Sequence, residues 1–152
     1  MNKNLLPVII VILLLGSSAA SAQYRHQIGV RLGSTDQINS TGISYRYFIN
    51  EGKAVEGILN LKSPYSVVAL YEFFKPIQTV ENLKWFYGAG LYAGFQGDEN
   101  IGITGIAGLD YQFTEVPVNL SIDWKPELTV LQSVKFRAAT VGVSVRFTFG
   151  KK

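Results

Sequence analysis

Beyond residue 23 the chain alternates apolar and polar positions. In VGVSVRFTF, residues 141 to 149, an extended backbone puts Val141, Val143, Val145, Phe147 and Phe149 on one face and Gly142, Ser144, Arg146 and Thr148 on the other. Eight such runs fall at about 27–33, 42–48, 54–61, 66–74, 83–95, 101–113, 117–125 and 136–149, separated by pieces rich in turn formers or charge. No segment after residue 23 carries a helical period. The pattern predicts an all-β domain, an eight-stranded antiparallel up-and-down barrel.

Sorting the runs by face tells more than counting them. One face carries Ile28, Val30 and Leu32, then Ile43, Tyr45 and Tyr47, and continues in kind to the last strand with no charge in any run. The other carries glycine, serine and mid-strand charges of both signs, Arg31, Arg46 and Arg146 against Glu56, Glu72, Asp110 and Asp123. The water face of a soluble barrel normally holds long solvated side chains. Small residues with compensating charges suit the cramped lumen of an eight-stranded barrel, where inward charges must pair. The apolar face is therefore expected to meet lipid, making this a transmembrane barrel. Arg31, Arg46, Glu56, Glu72, Asp110, Asp123 and Arg146 should form a structural ion network inside, with Arg46, Glu56, Glu72, Asp110 and Arg146 at one depth. Ile58, Val68, Leu70, Phe86 and Ile106 also point inward, so the interior should mix apolar and charged layers.

If the first strand runs outward, Tyr47, Phe73, Trp85, Tyr111, Phe113, Phe147 and Phe149 fall at the periplasmic ends and Trp124 at an outer end. That is the aromatic girdle of a membrane barrel. The outer links, around 33–41, 62–66, 96–100 and 126–135, read as short, mildly polar loops.

Composition sharpens the compartment. The 152 residues suit one domain, and only 16% are charged, against about 25% in an ordinary soluble one. Residues 1–22 read as a secretory signal peptide: Lys3, an apolar run from Leu5 to Leu15, and small residues ending in Ala20, Ser21 and Ala22, with cleavage before Gln23. The barrel domain is then 23–152. The formal charge of +3 is too small and dispersed for nucleic acid. There is no cysteine, which excludes disulfides and thiolate metal sites.

Candidate chemistry is sparse. His26 is the one histidine, so it can neither build a metal cluster nor find a nucleophile in a distinctive turn beside it. Glu56 and Glu72 could be an acid and base pair, but the neighbouring arginines favour a structural role. GAGLYAG (88–94) and GITGIAG (102–108) lack the following helix of a phosphate loop. Asp98, Glu99 and Asn100 could touch cations only weakly. No catalytic residue, cofactor or metal is expected.

The segments AVEGIL (54–59), ALYEFFKPI (69–77), WFYGAGLYAGF (85–95), GITGIAGLDYQF (102–113) and VPVNLSIDWKPEL (116–128), with the aromatic-ended last strand, resemble the small bacterial outer-membrane β-barrel proteins. The chain is similar in build to outer-membrane protein X and the barrel of outer-membrane protein A. The resemblance implies a Gram-negative outer-membrane location, with outer-membrane lipid around the barrel. It also implies an assembly signal in the last strand, Gly142, Val145, Phe147 and Phe149, read by the outer-membrane insertion machinery, although Gly150, Lys151 and Lys152 follow it. The function expected is non-enzymatic: a structural or envelope-integrity role, or scaffolding of a membrane-protein neighbour. The alternatives are a soluble periplasmic lipocalin-like barrel, its apolar face turned inward around a small apolar ligand, and a lipid-modifying enzyme at the rim.

Overall fold

A computed structural model describes residues 24–34, 39–62, 65–95, 101–131, 134–137 and 140–151. The expected signal peptide and Asp98, Glu99 and Asn100 lie outside the described residues. The strands are β1 (Tyr24–Ser34), β2 (Asn39–Asn50), β3 (Lys53–Asn60), β4 (Ser66–Pro76), β5 (Leu83–Gly94), β6 (Ile101–Gln112), β7 (Val118–Trp124), β8 (Glu127–Thr129), β9 (Lys135–Arg137) and β10 (Val141–Lys151). Each of β1 to β7 pairs antiparallel with its sequence neighbour, and β10 pairs with both β7 and β1. The sheet therefore closes on itself, an eight-span antiparallel barrel as the alternation predicts. The end carrying Tyr24 and Lys151 is called lower here and the opposite end upper.

The last two spans differ from expectation. Residues 126–135, read as a loop, contain β8 and the start of β9, which pair as Glu127 with Arg137 and Leu128 with Phe136. The cause is Pro126. It has no N–H to give the ladder, so the seventh span breaks at Lys125 and Pro126, while the proline carbonyl accepts from Gly105 N at 3.0 Å. Across the break the pairing register is offset by one residue, from Trp124 with Val141 to Glu127 with Arg137, and the hairpin resumes above it. The first two spans are longer than their alternating cores, because the β1–β2 ladder continues to Ser34 and Asn39.

The barrel is polar inside and apolar outside. Ile28, Val30, Leu32, Ile43, Leu59, Leu91, Leu109, Ile122, Val143 and Val145 are exposed on the wall, whereas Arg31, Arg46, Glu56, Glu72, Asp110, Asp123 and Arg146 are buried. A continuous apolar wall around every span exceeds the patches a soluble monomer tolerates. Several inward glycines are sterically required, Gly29 and Gly90 most tightly. A methyl group on Gly29 would run into the carbonyl of Val145, and one on Gly90 into that of Ala69, both backbone atoms of the next strand.

A candidate functional site: the buried charge layer

The centre of the lower half is Arg46, on β2. Its guanidinium reaches Glu56 on β3 at 3.1 Å, Glu72 on β4 at 2.9 Å and Asp110 on β6 at 2.8 Å. It also donates to Gln27 on β1 at 3.2 Å. Below it, Phe74 and Phe86 hold their rings 5.0 and 5.2 Å from the guanidinium carbon and stack on each other, with Phe48 against Phe74. Such a cation over aromatic faces gains from the ring quadrupole once water is excluded.

Arg146 supplies the second cation. Its register partner on β1 is Gly29, and Gly29 in turn faces Ser44 on β2. With no side chain at Gly29, the arginine can cross β1. It donates to Ser44 Oγ at 2.8 Å, to Glu56 at 2.5 Å and to Ser121 Oγ on β7 at 2.7 Å. Asn119 completes the layer, donating to Asp110 at 2.9 Å. All eight spans contribute a side chain, and Arg46 and Glu72 are 0% exposed, sealed from water.

The carboxylates are unequal. Glu56 accepts from Arg46, Arg146 and the Ser44 hydroxyl. Glu72 lies at ion-pair distance from Arg46 Nε, yet neither of its oxygens accepts an aligned hydrogen bond. Two arginines face three carboxylates, so Glu72 is both the surplus charge and the least well held.

A smaller site lies above. Arg31 grips Asp123 with two bonds, 2.5 and 3.3 Å. Gly142 is the register partner of both Asp123 and Gly33, and side chains at Gly33 or Gly142 would collide with the Arg31 guanidinium. The glycine pair makes the room that Arg31 occupies. Higher still, Lys125 at the proline break pairs with Glu127, and Tyr92 bonds Thr129 at 2.5 Å. Beside these, Ile58, Val68, Leu70 and Ile106 fill the lumen with apolar groups.

The seven interior charges expected from the sequence thus divide into a five-member layer and one separate pair. The partners the sequence reading left unassigned are Gln27, Ser44, Asn119, Ser121 and the phenylalanine floor. Their inward phase is visible in the alternation. The girdle residues Trp85, Phe113, Phe149 and Trp124 are exposed on the wall, and Tyr47, Phe73, Tyr111 and Phe147 are half-buried. Tyr47, Phe73, Trp85, Tyr111, Phe113, Phe147 and Phe149 sit at lower strand ends and Trp124 at the upper end of β7. Within the assembly segment, Gly142 lies under Arg31 and Val145 faces outward. At the closing seam, the His26 ring stacks on Phe149 and its Nδ1 lies 2.7 Å from Tyr45 Oη, a contact between rings on the outer wall. Among the described residues no group of three or more histidines or carboxylates is placed to hold a metal ion.

No protein-family model matches this sequence, and no curated protein sequence matches it. Among solved structures, the N-terminal β-barrel domain of Pseudomonas aeruginosa OprF is similar with a TM-score of 0.64 at 17% identity, over 85% of this chain and 100% of that one. Neisserial surface protein A (NspA) gives a TM-score of 0.46 at 21% identity, over 88% of this chain and 100% of that one. The likeness to the OprF domain is one of fold.

Proposed function

We propose that this chain is an integral outer-membrane β-barrel protein whose role is structural: it reinforces the envelope or scaffolds a membrane-protein neighbour through its lipid-facing wall, without catalysis. Residues 1–22 export it and are removed before Gln23, and the insertion machinery reads the last strand, Gly142, Val145, Phe147 and Phe149. The lower end is periplasmic and the upper end faces outward. The observation that carries this reading is the inversion of faces, with an apolar wall outside and fully buried, mutually paired charges inside. Such a wall satisfies every backbone group within the barrel while offering lipid only apolar side chains. A lumen filled at the charge layer supports a role that does not conduct solutes.

The lipocalin-like alternative needs an apolar lumen open to a ligand, and this lumen is crossed by Arg46 and Arg146. The rim-enzyme alternative needs an acid, base and nucleophile converging, and among the described residues the side chains against the His26 ring are Tyr45, Tyr47 and Phe149.

The test is fractionation of cells expressing the full chain, followed by electrophoresis with and without boiling. An outer-membrane band that migrates differently until heated is expected of a detergent-resistant closed barrel. A soluble periplasmic band with no shift would overturn the reading.

A further inference from the structure

The apolar wall is dented on β3 to β5. Tyr45, Gly57, Ala69 and Leu91 are register partners across β2, β3, β4 and β5, and Tyr71 with Ala89 forms the row below them. The small side chains of Gly57, Ala69 and Ala89 among these larger neighbours open an apolar groove of about 450 Å³ on the outer wall. On the same face β1, β7 and β10 carry Val30, Ile122 and Val143.

Gly57 shows that the dent is not a packing requirement. A methyl group on Gly29 or Gly90 would strike the backbone of the next strand, but one on Gly57 would meet nothing within 4 Å. The ladders on both sides run through Gly57 in regular register, so it marks no bulge. A strand-interior glycine under neither constraint weakens its strand and leaves room for a ligand to approach.

Two cations lie below the groove on the same face. Outward positions run Lys53, Val55 and Gly57 along β3, and Ala69, Tyr71, Phe73 and Lys75 along β4, alternating with buried residues. Lys53 is the partner of Phe73 and Lys75 that of Trp85, whose ring centre is 5.6 Å from Lys75 Nζ. Among the described residues neither lysine is in an ion pair, and Glu51 and Glu81 in the adjoining turns make none with them. Lys53 stands four residues from Gly57, about 13 Å along the strand, and the hydrocarbon of one leaflet is about 15 Å deep.

We propose that this face of β3 to β5 is a binding site for one anionic phospholipid of the lower leaflet. An acyl chain lies in the groove over Gly57, and the headgroup phosphate pairs with Lys53 and Lys75. The separation of groove and cations by about a leaflet's depth selects a lipid as the occupant, and the two lysines select an anionic one. Trp85 beside Lys75 marks the interfacial level, where tryptophan is enriched. A basic residue near a membrane surface favours anionic lipid by roughly fivefold. The inference rests on the membrane-barrel reading.

The chain has two tryptophans, Trp85 at the site and Trp124 on β7. Trp124→Phe and Trp85→Phe variants therefore each leave one reporter, at the site or away from it. The full-length protein purified from membranes would be reconstituted into phosphatidylcholine vesicles containing a minor fraction of brominated phosphatidylglycerol or, in parallel, brominated phosphatidylcholine. The expected result is severalfold stronger quenching of Trp85 by the phosphatidylglycerol, with no such preference at Trp124. Lys53→Gln/Lys75→Gln should remove the preference. Gly57→Leu should remove it too, because it fills the groove from a position with open space and leaves both lysines in place. A preference that survives Gly57→Leu, or one equal at the two tryptophans, would overturn the proposal, since charge alone would then be gathering lipid. Equal quenching of Trp85 by the two lipids would overturn it and leave the barrel reading standing. Trp85 shielded from both lipids while Trp124 is quenched would mean that a protein covers the groove, and would also overturn it. Quenching of neither tryptophan by either lipid would overturn the barrel reading as well.

Discussion

The lower and upper halves of the lumen solve the same problem differently. Below, two arginines and three carboxylates interlock, with every span contributing a side chain. Above, Arg31 and Asp123 form a single bidentate pair linking β1 to β7, in space cleared by Gly33 and Gly142. A network holds the barrel together through shared partners, whereas a pair does so through one geometry and the void it fits. Removing the central cation of the network should therefore strand several charges, and removing one member of the pair only one.

The largest effect is predicted at the centre of the network. Arg46→Ala would leave Glu72 without its cation and three carboxylates facing Arg146 alone. A loss of about 3–5 kcal/mol is expected, read as a collapse of folding yield and of the unboiled electrophoretic form. Glu56→Gln breaks contacts to both arginines and to Ser44 and should cost about 3 kcal/mol in thermal unfolding in detergent. In the upper half, Arg31→Ala should cost about 2 kcal/mol, because only Asp123 loses its partner.

Gly142→Ala tests the void instead of the charge. A methyl group there displaces the Arg31 guanidinium, with an expected loss of about 1–2 kcal/mol. The penalty should largely vanish when Arg31 is already alanine, a coupling that a double-mutant cycle measures. Equal penalties in the two backgrounds would refute the cradle. The smallest change is predicted for Glu72→Gln. It leaves two guanidinium groups facing two carboxylates and breaks no aligned hydrogen bond, so stability should stay within about 1 kcal/mol of the parent. A loss as large as that of Glu56→Gln would mean that Glu72 is an equal member of the network.

The alternation displayed the barrel plainly because its period is local: Val143 and Ser144 differ in face whatever lies beside them. The same logic put Arg46, Glu56, Glu72, Asp110 and Arg146 inside. Their partnerships were not legible, since they depend on how far each strand is staggered against its neighbours around the closed sheet. Arg146 reaches Glu56 only because Gly29 leaves β1 bare between them, which no pattern within β10 reveals. The β8–β9 hairpin was hidden for a different reason. Pro126 reads as the end of a strand, and here it interrupts one that resumes at Glu127.

The central claim is that the exposed apolar face is the one in lipid, and the absence of cysteine makes it directly testable. Single cysteines at Val30, Leu120, Ile122 and Val143 would be spin-labelled in bilayers. Their collision rates with oxygen, which partitions into lipid, and with a water-soluble nickel chelate would then be measured. The account predicts high oxygen and negligible nickel collision at all four positions. Ready collision with nickel at these positions would contradict it.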